Sequence, residues 1–431
     1  MAAAIVLAPA AYAQEASLKR ADSYFDLEDY HTAATQYEQL LKENPQSGIA
    51  KFKAGVCYLY TGRAEEGLAY IRDARQLPLE IDPYYYFWLG KAYHLNMRID
   101  SALVNYRRYL NTAPASDAFR KGTENLIAQA HRTESYFLAP DASPLQARNL
   151  GENINSPYTE RNPLVTADGH LMVFSSRRPL YPEEQPQPDG EYVEKSFISA
   201  VQPDGSWGKA LPLLAPADRK SWYTAVQLLE GGQKILLLQE SGAGGFYIAT
   251  RQGDAFYINA QKGEGYADPK KLDLGLKVST TGYDVSLAAD LKSAVYSKLN
   301  RTTGDLDLYF THKQGDGSWT KPLRISSAVN TLENEVSPLL SADGKTLTFA
   351  SKGREGLGGF DLFRSKFDEA TARWAPAENM GMPYNSPGND INYTELSVDG
   401  KKMGYLCASR PRGYGEADIY EIDFAGARAA K

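Results

Sequence analysis

Glu333-Asn334-Glu335-Val336-Ser337-Pro338-Leu339-Leu340-Ser341-Ala342-Asp343-Gly344-Lys345-Thr346-Leu347-Thr348-Phe349-Ala350-Ser351 decides the fold. A short apolar run meets Ala342-Asp343-Gly344, after which Leu347 and Phe349 alternate with Thr346 and Thr348. Asp-Gly between two strand-like runs marks a hairpin, because glycine adopts the positive φ that a tight turn demands. A glycine-rich loop follows, and Phe360-Asp361-Leu362-Phe363 supplies a third strand. The chain repeats this unit.

Units of the same texture begin near Tyr158, Tyr223, Tyr283, Glu335 and Ile391, at spacings of 65, 60, 52 and 56 residues. Such spacing suits four-stranded propeller blades. The turn returns as Ala167-Asp168-Gly169, Glu230-Gly231-Gly232, Ala289-Asp290 and Val398-Asp399-Gly400. The third strand returns as Phe246-Tyr247-Ile248, Asp307-Leu308-Tyr309 and Asp418-Ile419-Tyr420, and fourth strands are expected around Trp207, Trp319 and Trp374. The last unit ends at Phe424 with three strands. Its missing partner is foreshadowed by Ala147-Arg148-Asn149-Leu150-Gly151 before Asn155-Ser156-Pro157, a phrase repeated as Ala377-Glu378-Asn379-Met380-Gly381 before Asn385-Ser386-Pro387. The 147–153 segment is therefore expected to complete the last blade and remove the free sheet edge. Five blades are expected, or six if the long first unit hides a degenerate one.

The first third of the chain has a different period. Ala21, Tyr24, Ala33, Tyr37, Leu40 and Pro45 are followed 34 residues later by Gly55, Tyr58, Gly67, Ile71, Ala74 and Pro78. Another 35 residues on come Gly90, Tyr93, Ala102, Tyr106, Tyr109 and Pro114. Small residues recur where paired helices would touch, larger ones lie between them, and a proline ends each unit. Residues 116–136 continue as an amphipathic helix suited to capping a solenoid.

The 34-residue pattern resembles the tetratricopeptide family over 14–47, 48–81 and 83–116. The later repeats resemble TolB-like, WD-repeat-like propellers over 147–424, on the Ser-x-Asp-Gly hairpin and the basic residue after the second strand. The expected architecture is thus α + β multidomain: a signal-peptide remnant (1–13), helical repeats (14–136), a linker (137–146), a propeller (147–424) and a tail (425–431). The remnant rests on an apolar Ala2–Pro9 run and on Ala11-Tyr12-Ala13 before Gln14, although the positive leader of a signal peptide is missing.

The tetratricopeptide resemblance implies a concave groove lined by the first helix of each repeat. Its positions map to Leu18, Asp22 and Phe25, to Ile49, Phe52, Val56 and Leu59, and to Tyr84, Phe87, Lys91 and His94. Partner-binding candidates on this strip are Phe25, Phe52, Val56, Tyr84, Phe87, Lys91 and His94, suited to an extended peptide or a helix. On the propeller, loops entering the inner strand and loops joining the second and third strands share one face. That face would carry Glu160, Arg177, Arg178, Tyr283, Asp284, Glu333, Glu335, Arg354, Asp390, Arg410 and Arg412, either as blade-to-blade ion pairs or as a ligand rosette.

Composition narrows the rest. A net charge of −6 with no long basic run gives no field for nucleic acid. No run after the N-terminus is long and apolar enough to span a bilayer. Cys57 and Cys407 read as two buried thiols, with a disulfide as the alternative. The five histidines show no metal or catalytic spacing, and no nucleophile elbow, phosphate loop or zinc motif is present. The expectation is no enzyme, no cofactor and no metal. The combined architecture resembles envelope proteins of Bacteroidetes type, whose relatives often carry an OmpA-like domain and some of which serve type IX secretion or gliding. That resemblance implies a periplasmic scaffold that binds envelope proteins or peptidoglycan-associated components, with association to the outer membrane through those partners. A glycan or muropeptide sensor using the propeller's central pocket is the alternative.

Overall fold

The computed structural model describes residues 7–74, 77, 82–138, 146–213, 222–239, 245–252, 265, 266, 269–273, 275 and 284–424. The chain forms two units. One comprises residues 1–137 with 178–193 and 409–416, and the other residues 138–177, 194–408 and 417–431.

In the first unit seven helices follow one another: α1 (Leu7–Asp26), α2 (Tyr30–Glu43), α3 (Gly48–Tyr60), α4 (Ala64–Asp73), α5 (Asp82–Leu95), α6 (Ile99–Thr112) and α7 (Phe119–Leu138). The first six pair into three helical hairpins, and α7 closes the series. Small residues set the approach within each pair. A Cβ on Gly55 would stand 2.6 Å from Ile71 Cγ1, and one on Gly90 2.6 Å from the Tyr106 ring. Both α3–α4 and α5–α6 therefore pack at a distance only glycine permits. Asp29 and Ser47 cap α2 and α3, accepting from Thr32 N at 3.0 Å and Ala50 N at 3.4 Å. Asp117 accepts from Phe119 N at the start of α7 and from the hydroxyls of Tyr109 (2.5 Å) and Tyr84 (2.8 Å), tying α5, α6 and α7 together. Those donors hold its carboxyl below the ordinary range, the Tyr109 hydroxyl most strongly.

Among its described residues the second unit forms five antiparallel sheets, and the long first repeat, where a sixth blade was the alternative, holds one of them over 160–212. Blade 1 holds Glu160–Val165, Leu171–Ser176, Lys195–Ala200 and Leu211–Pro212. Blade 2 holds Tyr223–Leu229, Lys234–Gln239, Gly245–Gln252 and Lys270–Lys271. Blade 3 holds Val285–Leu287, Ser293–Leu299, Leu306–His312 and Leu323–Arg324. Blade 4 holds Glu335–Leu340, Thr346–Ser351, Asp361–Asp368 and Glu378–Asn379. Blade 5 holds Asp390–Val398, Lys401–Ala408 and Asp418–Asp423, completed by Ala147–Asn149 with Ala147 opposite Ile422 and Asn149 opposite Tyr420. The N-terminal strand thus closes the last blade.

The tryptophans do not sit where the sequence placed them. Trp207 and Trp319 make isolated bridges to Val201 and Lys313, and Trp374 pairs with Phe367 on a short extra strand. They lie on the far extension of the third strand, which reaches past the blade's fourth strand and needs a second partner there.

Inner strands bulge at equivalent places. Register slips between Arg161 and Leu164, Ala225 and Gln227, Val336 and Leu339, and Ile391 and Thr394. Asn162, Ser337 and Asn392 take positive φ of 54°, 53° and 49° at three of these bulges. Side chains freed there lace the ring. Asn162 Nδ2 donates to Ala225 O at 2.7 Å, Gln227 exchanges two bonds with Leu287, and Asp284 accepts from Ser337 N at 2.9 Å. Cys57 and Cys407 are buried free thiols, and burial pushes Cys57 up to about 12. The 1–6 part of the signal remnant, most of the 137–146 linker and the 425–431 tail lie outside the described residues.

Candidate functional site

The concave strip implied by the helical repeats divides into core and surface. Phe52, Val56, Phe87 and His94 are buried, exposed by 6, 1, 6 and 2%. Phe52 and Val56 pack with Leu68, Ile71 and Leu89 between the hairpins, and Phe87 packs with Tyr109 and Ala113. These four are corrections: α7 brings Phe119 to 5.2 Å from the Phe87 ring, and the first helices pack too closely to leave these side chains to a ligand. His94 lies edge-on to Tyr106, whose hydroxyl stands 3.4 Å from Nδ1, and burial pushes its pKa down to about 4.

Phe25, Tyr84 and Lys91 remain half-buried at the surface. Lys53 Nζ lies 5.5 Å from the Phe25 ring and 2.8 Å from Asp22, which also accepts from the Tyr37 hydroxyl. Lys91 Nζ lies 4.9 Å from the Tyr60 ring and 5.0 Å from the Trp88 ring. Tyr60 stacks on Tyr30 with centroids 4.1 Å apart and planes 4° apart, and meets Trp88 edge-on at 5.6 Å. Tyr30, Tyr60, Trp88 and Lys91 therefore form one platform of stacked rings with a cation over it. Sequence reasoning found only Lys91 of these. The signal for Trp88 was present in Tyr84-Tyr85-Tyr86-Phe87-Trp88, since consecutive helical residues cannot all point into a core. In that run Phe87 is buried and the other four are half-buried.

The acidic half of the expected propeller face is structural. Glu160, Glu335 and Asp390 are fully buried. Glu160 accepts from Ser156 N (2.8 Å), Ser156 Oγ (2.6 Å) and Ser176 Oγ (2.7 Å). Glu335 repeats this with Thr331 N (2.8 Å), Thr331 Oγ1 (2.7 Å) and Ser351 Oγ (2.7 Å), and Asp390 with Ser386 N (2.6 Å) and Oγ (2.8 Å). Burial raises the Glu335 carboxyl against these donors. The expectation of exposed ion-pairing acids is corrected: each carboxylate fastens its own lead-in loop through hydroxyl and amide donors.

One residue before each Ser or Thr stands an asparagine that sequence reasoning missed. Asn330 accepts from Leu308 N at 2.7 Å and donates to Leu308 O at 3.0 Å. Asn385 does the same with Leu362 (2.6 and 3.0 Å), and Asn155 with Ile419 (2.8 and 3.1 Å). Each amide imitates a strand residue and ties one blade's entry to the third strand of the blade before it. The signal was an Asn five residues before a carboxylate, three times over.

Arg354 is half-buried and donates to Ser327, Ala328 and Val329 carbonyls at 3.1, 2.7 and 2.9 Å, so it braces the preceding loop. With exposed Glu333 and Leu332 it lines a cavity of about 800 Å³. Asp284 lies near Arg161, which is paired to Glu194 by a 2.7 Å bond from Nε; burial raises the Asp284 carboxyl and Arg161 opposes that. Arg177, Arg178 and Arg410 are half-buried, and exposed Arg412 donates to Glu65 at 3.2 Å. Tyr283 lies outside the described residues.

Residues 18–85 match the tetratricopeptide repeat family. No curated protein matches the chain. Similar solved structures include one titled glycoside hydrolase (10% identity, covering 68% of this chain and 95% of that one, TM-score 0.42). An endo-arabinase from Bacteroides thetaiotaomicron (13%, 62% and 96%, TM-score 0.38) and TolB from Acinetobacter baumannii (11%, 73% and 71%, TM-score 0.32) are also similar. The expectation of no enzyme is corrected here. Glycoside hydrolases stand among the structures similar to this one, so missing sequence motifs do not exclude catalysis. At this identity and TM-score they assign no activity either. No helix among the described residues is long and apolar enough to cross a membrane.

Proposed function

We propose that the chain is a scaffold of the bacterial cell envelope that works in the periplasm and holds partner proteins through its helical repeats. The observation that carries this reading is the ring platform Tyr30–Tyr60–Trp88 with Lys91 over it. Stacked aromatic rings offer contact area at low entropic cost, and a lysine beside them favours an acidic neighbour on the partner. An extended peptide or a helix carrying apolar and acidic side chains fits that chemistry. Of the strip expected from sequence, Phe25, Tyr84 and Lys91 stay with the proposal. The envelope setting rests on the resemblance of the combined architecture and on the apolar N-terminal run. Service in a type IX secretion or peptidoglycan-associated complex is the narrower form of the same proposal. The glycan-sensor alternative has no observation that favours it over the scaffold.

The test is affinity capture from envelope extracts with the intact chain and with Trp88→Ala plus Lys91→Ala. Loss of the same co-purifying proteins from the still-folded double variant is expected. Unchanged recovery removes the platform from the function.

A further inference from the structure

The loop leading into blade 4 and the loop after its second strand border a cavity of about 800 Å³, within the range that takes a small ligand or a peptide end. Arg324, Leu332, Glu333, Arg354, Glu355 and Phe363 are in its lining, and all belong to the second unit. Close approach fixes the walls. A Cβ on Gly353 would stand 2.0 Å from Thr331 Oγ1 and 3.1 Å from Glu333 Cβ, so the two loops touch where only glycine fits. Glu335 holds Thr331 in turn, accepting from its amide at 2.8 Å and its hydroxyl at 2.7 Å.

Both guanidinium groups are oriented in advance. Arg324 makes a fork on buried Asp307, with Nε at 2.6 Å and Nη2 at 2.7 Å, and Nη2 also reaches Thr331 O at 3.3 Å. Arg354 Nε donates to Val329 O at 3.3 Å, and its Nη2 carries the three carbonyl bonds described above. Among the described residues neither Nη1 makes a hydrogen bond, so each arginine keeps an amino group with two N–H donors uncommitted. Arg354 is half-buried, and no described carboxylate lies within 4.0 Å of it. Burial lowers its pKa, with Glu335 opposing, because the charged form loses hydration that carbonyls replace only in part. A carboxylate would accept from donors already held in place, so binding it costs little side-chain entropy.

The rest of the lining selects what stands beside that carboxylate. Glu333 and Glu355 are exposed, and no described cation lies within 4.0 Å of either. Two such acids make a simple anion a poor match and favour a ligand that also carries a positive group. Leu332, 80% exposed, and Phe363, whose ring centre lies 5.9 Å below the Arg354 guanidinium, offer apolar surface to an alkyl stem. Carboxylate, alkyl stem and cation together describe a chain that ends in lysine.

We infer that the cavity binds the carboxy terminus of a peptide or protein whose last residue is basic, with the α-carboxylate on Arg354 and Arg324 and the basic side chain facing Glu333 and Glu355. The inference does not depend on the ring platform.

The test titrates acetyl-Gly-Gly-Lys, with a free carboxylate, into the full chain by calorimetry, and a Kd of about 1 mM or below is expected. The amide of the same peptide should bind about tenfold more weakly, and the norleucine analogue, which keeps the stem and loses the cation, about fivefold. Arg354→Gln should weaken the acid about tenfold and leave the amide unchanged. Glu333→Gln with Glu355→Gln alters two exposed side chains and should make the lysine and norleucine peptides equal. If Arg354→Gln does not fold, the ratio of acid to amide on the native chain still decides. No binding at about ten times the expected Kd, or equal binding of acid and amide, overturns the site. Equal binding of the lysine and norleucine peptides to the native chain overturns the preference for a basic end.

Discussion

His94 ties the stability of the third helical hairpin to pH. Its ring is 2% exposed, and burial lowers its pKa from 6.5 to about 4. Between these values the unfolded chain binds a proton at His94 that the folded chain does not, so stability falls as pH drops. Below about pH 4 both states are protonated and the loss stops growing. One pKa unit is worth about 1.4 kcal/mol, which puts the full loss near 3 kcal/mol and the loss between pH 7.5 and 5 at about 2 kcal/mol. Carboxylates titrate over part of this range, so the native chain is compared with His94→Phe, which fills similar space and carries no proton. Hydrogen exchange of peptides from α5 and α6 is the assay. Their protection should fall about thirtyfold more in the native chain than in the variant over that pH step. A ring titrating near 6.5 by NMR, or equal pH dependence in the two proteins, refutes the reasoning.

Asn385→Ala removes the amide that pairs with both backbone groups of Leu362 and leaves them buried without partners. Denaturant unfolding of the second unit should show a loss of about 2–4 kcal/mol, and an unchanged midpoint would deny the amide its bridging role. A chain beginning at Gln146 should give a stable propeller, whereas one beginning at Asn153 lacks the strand opposite Tyr420–Ile422 and should self-associate through that edge in sedimentation experiments. Equal behaviour of the two truncated chains would show that the closing strand is dispensable.

The parts of this fold that were legible in sequence are those where a residue type is forced by backbone geometry. Gly55 and Gly90 mark close helix pairs, Asp343-Gly344 marks a hairpin, and Ala147–Leu150 announced its role because it repeats the phrase at 377–380. Side-chain destinations were harder to read. Glu160, Glu335 and Asp390 look like surface acids because carboxylates usually are, and only the Ser or Thr four residues earlier shows what satisfies them inside. Phe52 and Phe87 occupy groove positions of the repeat family, but α7 and the spacing of the first helices turn that row inward.

Closure of the last blade by the 147–149 strand also sets an order of events. Arg148 and Glu421, which pair across it, are 273 residues apart. At translation rates of about 5–20 residues per second, that interval lasts roughly 15–50 s. During it the helical repeats are already made, while four blades wait with an open seam. A folding helper that shields this seam, or export that keeps the chain extended until Asp423 has passed, would serve the protein better than faster collapse.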